Sequence, residues 1–169
     1  YFDRGPIDDT DLVTGGYWST YWYQGRIYGT EIIRGIDVFA LTPSEHLSAN
    51  EIAAAEMANQ GGLFNPQQQF PVTWPSEPRV SLAYLDQWLR GHPEQHQTLE
   101  VLYETLHAAE TILKNKGQDT TLAVSLADWA DVWELSGAIA LRDSLRAISH
   151  RLSVGPPTRL ISQVAPQET

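Results

Sequence analysis

The sequence predicts an α+β fold, in which a short antiparallel β-meander is followed by a proline-rich strap and a three- to four-helix bundle. Residues 1–41 hold nine of the 17 aromatic residues and six of the 12 glycines, a composition typical of strands and tight turns. Residues 66–75 contain three prolines, which exclude a helix there. Beyond about residue 76 leucine and alanine dominate and glycine is rare. We therefore expect the architecture to change part-way along the chain.

Three short antiparallel strands are predicted in the first part. Residues 17–23 are aromatic and β-branched, and Gln24-Gly25 supplies a tight turn before a return strand at residues 26–31. A third strand is expected at residues 36–41. A three-stranded meander leaves two edges of unpaired backbone N–H and C=O groups and cannot bury both of its faces, so it needs a further surface to pack on.

Residues 42–75 are predicted to form a connector. Capping-box spacing occurs twice, at Thr42 with Glu45 and at Ser48 with Glu51, before an alanine-rich run. A short helix is therefore expected in this region. The proline-rich strap that follows is expected to be extended.

The expected anchors of that strap are Phe70 and Trp74, because large aromatic side chains provide most of the apolar area that such a segment can bury. At the other end of the chain, residues 154–169 are polar and proline-bearing, which predicts either a flexible tail or a strap on a partner.

Residues 76–153 are predicted to form the helical bundle. Pro78 suits a first helical turn, and Gly91 fits the position just past a helix end. A second helix is expected to open at Pro93 and to stop at Gly117. Apolar residues at helical spacing mark four stripes. They are Leu85, Trp88 and Leu89; Leu99, Leu102, Leu106, Ala109 and Leu113; Leu122, Leu126, Trp129 and Trp133; and Ala138, Leu141, Leu145, Ile148 and Leu152.

Charge and composition exclude several functions. The net charge of −10 repels phosphate, so neither nucleic acid nor an anionic membrane is an expected partner. No apolar run approaches the roughly 18 residues of a membrane-spanning helix, which predicts no membrane-spanning segment. Cysteine is absent, which excludes thiolate chemistry. Only two lysines are present, which disfavours a phosphate-binding loop or a lysine Schiff base. We expect no cofactor.

Several segments together resemble the last blade and helical tail of bacterial LVIVD-repeat proteins, which are exported β-propellers. The segments are residues 1–7 (YFDRGPI), 15–32 (GGYWSTYWYQGRIYGTEI), 34–39 (RGIDVF), 65–67 (NPQ) and 83–87 (AYLDQ). The run GIDVFAL at residues 35–41 fills the place of the family's repeat motif. The resemblance is strong for residues 1–41, moderate for 62–91 and compositional beyond.

The resemblance implies that residues 1–41 are a terminal propeller blade. A propeller needs several blades that bury one another's faces, and only one is present. It therefore implies that the chain is the C-terminal part of a longer protein, whose principal partner is the rest of the propeller in the same polypeptide or in another chain. A protein complex and an extracytoplasmic location are also expected, and the absence of cysteine is compatible with that location.

Two groups of residues are candidates for binding. Trp22 and Tyr28 belong to an aromatic cluster that suits either an interior between blades or a platform for sugar rings or a protein partner. Glu31, Arg34 and Asp37 lie near adjacent strand ends, where they form either a structural ion pair or a site for a cation or polar ligand.

Strict alternation divides the first strand into two sets of side chains. Trp18, Thr20 and Trp22 are expected on one face, and Tyr17, Ser19, Tyr21 and Tyr23 on the other.

Metal and catalytic motifs are incomplete. His92 and His96 have the spacing of two zinc ligands on one helix, and Glu104 with His107 gives half of a di-iron motif. The aspartates of residues 3–11 lack the calcium-loop pattern. We predict no metal site and no catalytic residue. The favoured interpretation is therefore a non-catalytic binding or scaffold module, and the alternative is a fragment of a hydrolytic or redox propeller enzyme with its active site on missing blades.

Overall fold

The computed structural model describes residues 3–58, 60, 72–136 and 138–154, and it has an α+β fold. Three strands precede five α-helices along the described chain. The chain divides into two compact units, residues 1–96 and residues 97–169. The first unit holds the sheet and two helices, and the second holds the remaining three. The division falls inside the range predicted for the helical bundle.

The strands are β1 (Tyr17–Tyr23), β2 (Arg26–Glu31) and β3 (Gly35–Phe39), and they form one antiparallel sheet in the order β1-β2-β3. The predicted hairpin is confirmed. Gln24 and Gly25 both take positive φ, 46° and 77°, as a two-residue type I′ turn requires. The third strand begins one residue earlier than expected and ends at Phe39.

The two faces of the sheet differ in character. One face, here called the tyrosine face, carries Tyr21, Tyr28 and Val38 in one cross-strand row and Ser19, Thr30 and Ile36 in the next. The opposite face, here called the glycine face, carries Trp22, Ile27 and Phe39 in one row and Thr20, Gly29 and Asp37 in the next.

The predicted position of Tyr17 on the same face as Tyr21 is wrong. The strand register shifts between Tyr17 and Ser19, so β1 has one extra residue there. Because such a bulge breaks strict alternation, Tyr17 is paired with Glu31 on the glycine face. Alternation from a single strand cannot reveal this shift.

The described part of the connector contains one helix, α1 (Ala49–Glu56). Ser48 and Glu51 form the predicted capping box, in which each side chain accepts a hydrogen bond from the other residue's backbone N–H. The second candidate box, at Thr42, starts no helix, because an isolated bridge between Ser44 and Leu47 makes a turn there instead.

Of the expected strap anchors, Phe70 lies outside the described residues. Trp74 is 47% exposed and lines a cavity of about 290 Å³ together with residues of α1 and of the helix that follows, among them Ala54, Val80 and Tyr84.

Helix α2 (Pro78–Gly91) packs antiparallel to α1. Ala54 meets Val80 and Ala83 in a small apolar cluster, while Glu51 pairs with Arg90 near the other end. Pro78 is the first helical residue, as predicted. Gly91 is the last residue of the helix rather than the residue after it.

The remaining helices are α3 (His96–Lys114), α4 (Thr120–Ser136) and α5 (Ile139–Val154). A single 3₁₀ turn at Pro93–Gln95 precedes α3, so the α-helix opens three residues later than expected. The helical stripes are confirmed at their central positions. Leu99, Leu102, Leu106, Ala109, Leu126, Trp133, Leu141, Leu145, Ile148 and Leu152 are all buried.

Helices α4 and α5 form an antiparallel hairpin. The Ser149 hydroxyl donates to the carbonyl of Ala123 at 2.7 Å, and Arg146 donates to Asp131 at 3.0 Å and to Glu134. Since residue numbers rise along α4 as they fall along α5, the two axes run in opposite directions. Among the described helices, none combines the length and apolar character needed to cross a membrane.

Helix α3 ends in a Schellman arrangement. The N–H of Gly117 donates to the carbonyl of Ile112 at 2.9 Å, and the N–H of Lys116 donates to that of Leu113 at 3.0 Å. The left-handed residue is Lys116, with φ of 57°. A Cβ on Gly117 would lie 3.1 Å from the Cγ2 of Ile112, so a larger residue there would require Ile112 to shift.

Candidate functional site

The five candidate binding residues do not converge on one point. Glu31, at the end of β2, and Asp37, in β3, share the glycine face near the β2–β3 turn, which contains Arg34. Trp22 lies on the same face but near the opposite end of the sheet, whereas Tyr28 lies on the tyrosine face. The structure therefore separates a polar cluster from the two aromatic candidates.

Glu31 anchors the β2–β3 turn. Its side chain is buried, one oxygen accepts the N–H of Gly16 at 2.7 Å, and the other accepts the N–H of Ile33 at 2.9 Å and the N–H of Arg34. Burial raises the pKa of Glu31, but these three backbone donors, with the charge of Arg34, bring the net pKa below its ordinary value. Glu31 is thus an ionised carboxylate whose lone pairs hold the turn.

Arg34 fastens the segment that precedes the sheet. Its guanidinium donates to the backbone carbonyls of Arg4, Gly5 and Pro6 at 3.4, 3.3 and 2.6 Å. A guanidinium carries five N–H donors in a fixed fork, which suits it to several carbonyls of one bend. The Arg34 guanidinium therefore contacts backbone carbonyls rather than pairing with a neighbouring carboxylate. Its positive charge still helps to lower the pKa of Glu31.

Asp37 is held by two side chains. Arg4 forms a salt bridge with it, and the Tyr17 hydroxyl donates a hydrogen bond to its other oxygen. Partial burial, together with this hydrogen bond to Asp37, raises the pKa of Tyr17. To reach Asp37 the Tyr17 ring crosses Gly29, where a Cβ would lie 2.7 Å from the Cε1 atom of the ring. Phe39 packs edge-on against the same ring, with centroids 6.1 Å apart.

A cavity of about 370 Å³ lies at this end of the sheet, lined by residues 3–8, 11–13, 15–17, Glu31 and Arg34. The polar groups of Glu31 and Arg34 in its wall already bind backbone atoms, so they hold the loop rather than present a reactive group. Within the described part of the chain, no group of three or more histidines and carboxylates is arranged to hold a metal ion.

The two aromatic candidates, Trp22 and Tyr28, are both half-buried, and the exposed apolar surface lies beside Tyr28. On the tyrosine face Ile36 is 66% and Val38 57% exposed, Tyr21 is exposed, and Tyr28 between them is half-buried. Trp18, at the bulge, is 81% exposed. Contiguous exposed apolar area of this kind is typical of protein contact sites.

The histidine pair of the helical region does not form a chelating face. His92 lies between α2 and the 3₁₀ turn, and only His96 belongs to α3. The His92 ring instead stacks on Trp88, with centroids 4.0 Å apart, and its Nδ1 lies 3.0 Å from the carbonyl of Trp88.

Three residues that matter here were not among the sequence candidates. Arg4 and Tyr17 hold Asp37, and the side-chain amide of Gln60 bonds to the outer edge of β1. Arg4 and Gln60 act on partners more than 30 positions away, so no local pattern could identify them. Comparisons with protein families, with curated proteins and with solved structures find no match to this chain.

Proposed function

We propose that this chain is a non-catalytic binding module and the C-terminal part of an extracytoplasmic β-propeller protein. In this proposal the tyrosine face of the sheet packs against a neighbouring sheet, in the same polypeptide or in a partner chain. The observation that carries it is the exposure of this face, where Ile36, Val38 and Tyr21 form a contiguous apolar surface. A three-stranded sheet with one bare apolar face is expected to be completed by another surface.

The polar cluster supports a structural rather than a catalytic role. Glu31, Arg34 and Asp37 are each bound to backbone or side-chain partners from the segment that precedes the sheet or from the adjoining turn. A catalytic group must be able to reach a substrate proton or atom, and these groups are committed to the fold. The rival hypothesis, a propeller enzyme, is testable by an activity screen of the native protein. Turnover that Glu31→Gln or Arg34→Lys abolishes without loss of structure would support the enzyme.

The test of the proposed function compares side-chain labelling by hydroxyl radicals in the isolated 169-residue chain and in the native protein purified from its source. Val38 and Val124 are a matched pair, because both are valines with similar exposure, 57% and 61%. We expect the labelling of Val38 to fall several-fold in the native protein while that of Val124 is unchanged. Equal labelling of Val38 in the two samples would refute the proposal.

Two further measurements complete the test. An intact native mass well above 18.9 kDa would place the covering sheet in the same polypeptide, and a native mass of 18.9 kDa would require a partner chain. The extracytoplasmic location is supported by the sequence resemblance and is compatible with the lack of cysteine. A gene start that encodes no export signal would count against it.

A further inference from the structure

The outer edge of β1 is occupied near the hairpin by the side chain of Gln60. Its amide nitrogen donates to the carbonyl of Trp22 at 3.0 Å, and its amide oxygen accepts the N–H of Gln24 at 3.1 Å. Two bonds to residues on either side of Tyr23 are the pattern that one residue of a parallel neighbouring strand would make. Gln60 therefore substitutes for a strand at this part of the edge.

Among the described residues, no side chain covers the outer edge of β3 in this way. Tyr23 and Arg26 flank a two-residue turn, so they form a hydrogen-bonded pair, and bonded and non-bonded pairs alternate from there. It follows that Gly29 bonds to Asp37 across β2 and β3, and that the N–H and C=O groups of Ile36 and Val38 point away from the sheet. Within the described residues no hydrogen bond from outside the strand reaches these groups.

We propose that the outer edge of β3 accepts an added strand, an extended peptide segment that hydrogen-bonds to Ile36 and Val38 and completes a four-stranded sheet. This inference rests on the proposed function and names the place where the partner joins. The side chains of Ile36 and Val38 are more than half exposed, so an added strand gains apolar contacts beside the same residues that offer backbone bonds. The edge carries neither a lysine nor a proline, the residues that commonly protect such edges from pairing.

The charge of the region defines the partner. Asp37 is the middle residue of β3, and the chain as a whole carries a net charge of −10. Asp37 is already paired with Arg4, but a second copy would bring together two chains that each carry a net charge of −10, and this repulsion disfavours self-pairing. The partner strand is therefore a different segment of neutral or basic net charge, with apolar residues beside Ile36 and Val38 and no acidic residue opposite Asp37.

The test uses a blocked synthetic peptide, Arg-Thr-Val-Lys-Val-Thr-Arg, with a control peptide in which glutamate replaces the central lysine. Residue-resolved amide hydrogen exchange of the whole chain is the readout. Without peptide, the amides of Ile36 and Val38 are expected to exchange fast while that of Asp37 is protected. Adding the lysine peptide should protect Ile36 and Val38, with a dissociation constant at least roughly tenfold lower than that of the glutamate peptide.

Two proline variants locate the binding site. Val38→Pro removes an outward N–H from β3 and leaves the ladder to β2 intact, and Thr20→Pro does the same at the outer edge of β1. Far-UV circular dichroism and a thermal melt establish that each variant is folded. We expect Val38→Pro to lose peptide binding at least tenfold and Thr20→Pro to retain it. If Val38→Pro fails to fold, amide protection in the wild-type chain alone decides the question.

The outcomes separate the two proposals. Protection at β1 instead of β3, unchanged binding by a folded Val38→Pro variant, or equal affinity for both peptides would overturn the inference. A dimer that pairs through β3 would also overturn it in favour of a second copy. If the peptide fails to bind β3 while Val38 is shielded in the native protein, the proposed function stands and only this inference fails.

Discussion

The strands and the helices of this protein are stabilised in different ways. In the helices, large side chains such as Leu102, Leu126, Leu145 and Ile148 are completely buried. Among the described residues of β1 to β3, no apolar side chain reaches that state, and the buried positions are Gly29 and Glu31.

The difference shows which part of the chain has its own core. The helices derive stability from apolar side chains that are buried against one another, and this burial requires no partner chain. The strands depend on backbone hydrogen bonds and on polar contacts made by Glu31, Arg34 and Asp37, and they leave apolar side chains in water. We expect such a region to gain the most stability when another protein surface covers its exposed apolar side chains. The following variants test this contrast.

The largest effect is expected from Leu145→Ala. Leu145 is fully buried in α5, so truncation removes apolar contacts and leaves a cavity, at a cost of about 2–5 kcal/mol in the free energy of unfolding. The control is Val38→Ala, an exposed position of the sheet, which should change stability by less than about 0.5 kcal/mol. Urea denaturation measures both. Equal losses in the free energy of unfolding for the two variants would contradict the proposed difference between the helices and the strands.

The next effect concerns the close contact at Gly29. Gly29→Ala should destabilise the sheet by roughly 1–3 kcal/mol, because its Cβ would displace the Tyr17 ring from Asp37. In a Tyr17→Ala background the same substitution should cost much less. Gly91→Ala is the control, since nothing lies near its Cβ and alanine favours a helix. A Gly29→Ala cost that is independent of Tyr17 would contradict this account.

A pH-dependent effect is expected at Glu51. Burial raises its pKa, but hydrogen bonds from Arg90 and from the N–H of Ser48 bring the net pKa below the ordinary value of 4.5. A carboxylate with a lowered pKa in the folded state stabilises the protein above its unfolded pKa, and this contribution is lost as pH falls through the folded value. Glu51→Gln should therefore cost about 1 kcal/mol near neutral pH, since Arg90 is partly exposed, and less in acid.

Stability curves of the wild type and Glu51→Gln between neutral and acid pH test this expectation. Glu45→Gln is the matched control, because Glu45 is exposed and, within the described residues, its ion pair is with the exposed His46. A difference between wild type and Glu51→Gln that grows in acid would have the wrong sign.

The smallest effect should come from Lys116→Gly. Lys116 takes a left-handed conformation that glycine adopts at lower cost, so the substitution should stabilise the second unit by about 1 kcal/mol. Lys114→Gly changes the last residue of α3, whose φ is not positive, so glycine has no conformational advantage there and should not stabilise the unit. Thermal melts of both variants provide the measurement, and a fall in melting temperature for Lys116→Gly would show that the side chain has a role beyond its backbone conformation.

Local patterns in the sequence predicted much of the fold. Short-range rules place the bounds of β1 and β2, the Gln24-Gly25 turn and the Ser48 cap, because each depends on residues within a few positions. The same holds for the helical stripes, whose period follows from helix geometry.

The predictions from the sequence were wrong where a neighbouring strand or a local backbone conformation determined the position of a residue or the start of a helix. The bulge at Tyr17 is a property of the pairing between β1 and β2, and the 3₁₀ turn at Pro93–Gln95, which delays the start of α3, is a local backbone choice. Neither is visible in the period of a single segment.

The sequence by itself determined the type and order of the elements, because propensity, capping and periodicity act over a few residues. It also identified Glu31, Arg34 and Asp37 as residues of interest at the strand ends. Only the tertiary structure decided what these residues do, since Arg4, Gly5 and Pro6 reach them from about 30 positions away. It likewise decided that Gln60 covers one edge of the sheet while no described residue covers the other edge at Ile36 and Val38, because edge hydrogen bonding depends on which segments meet in space.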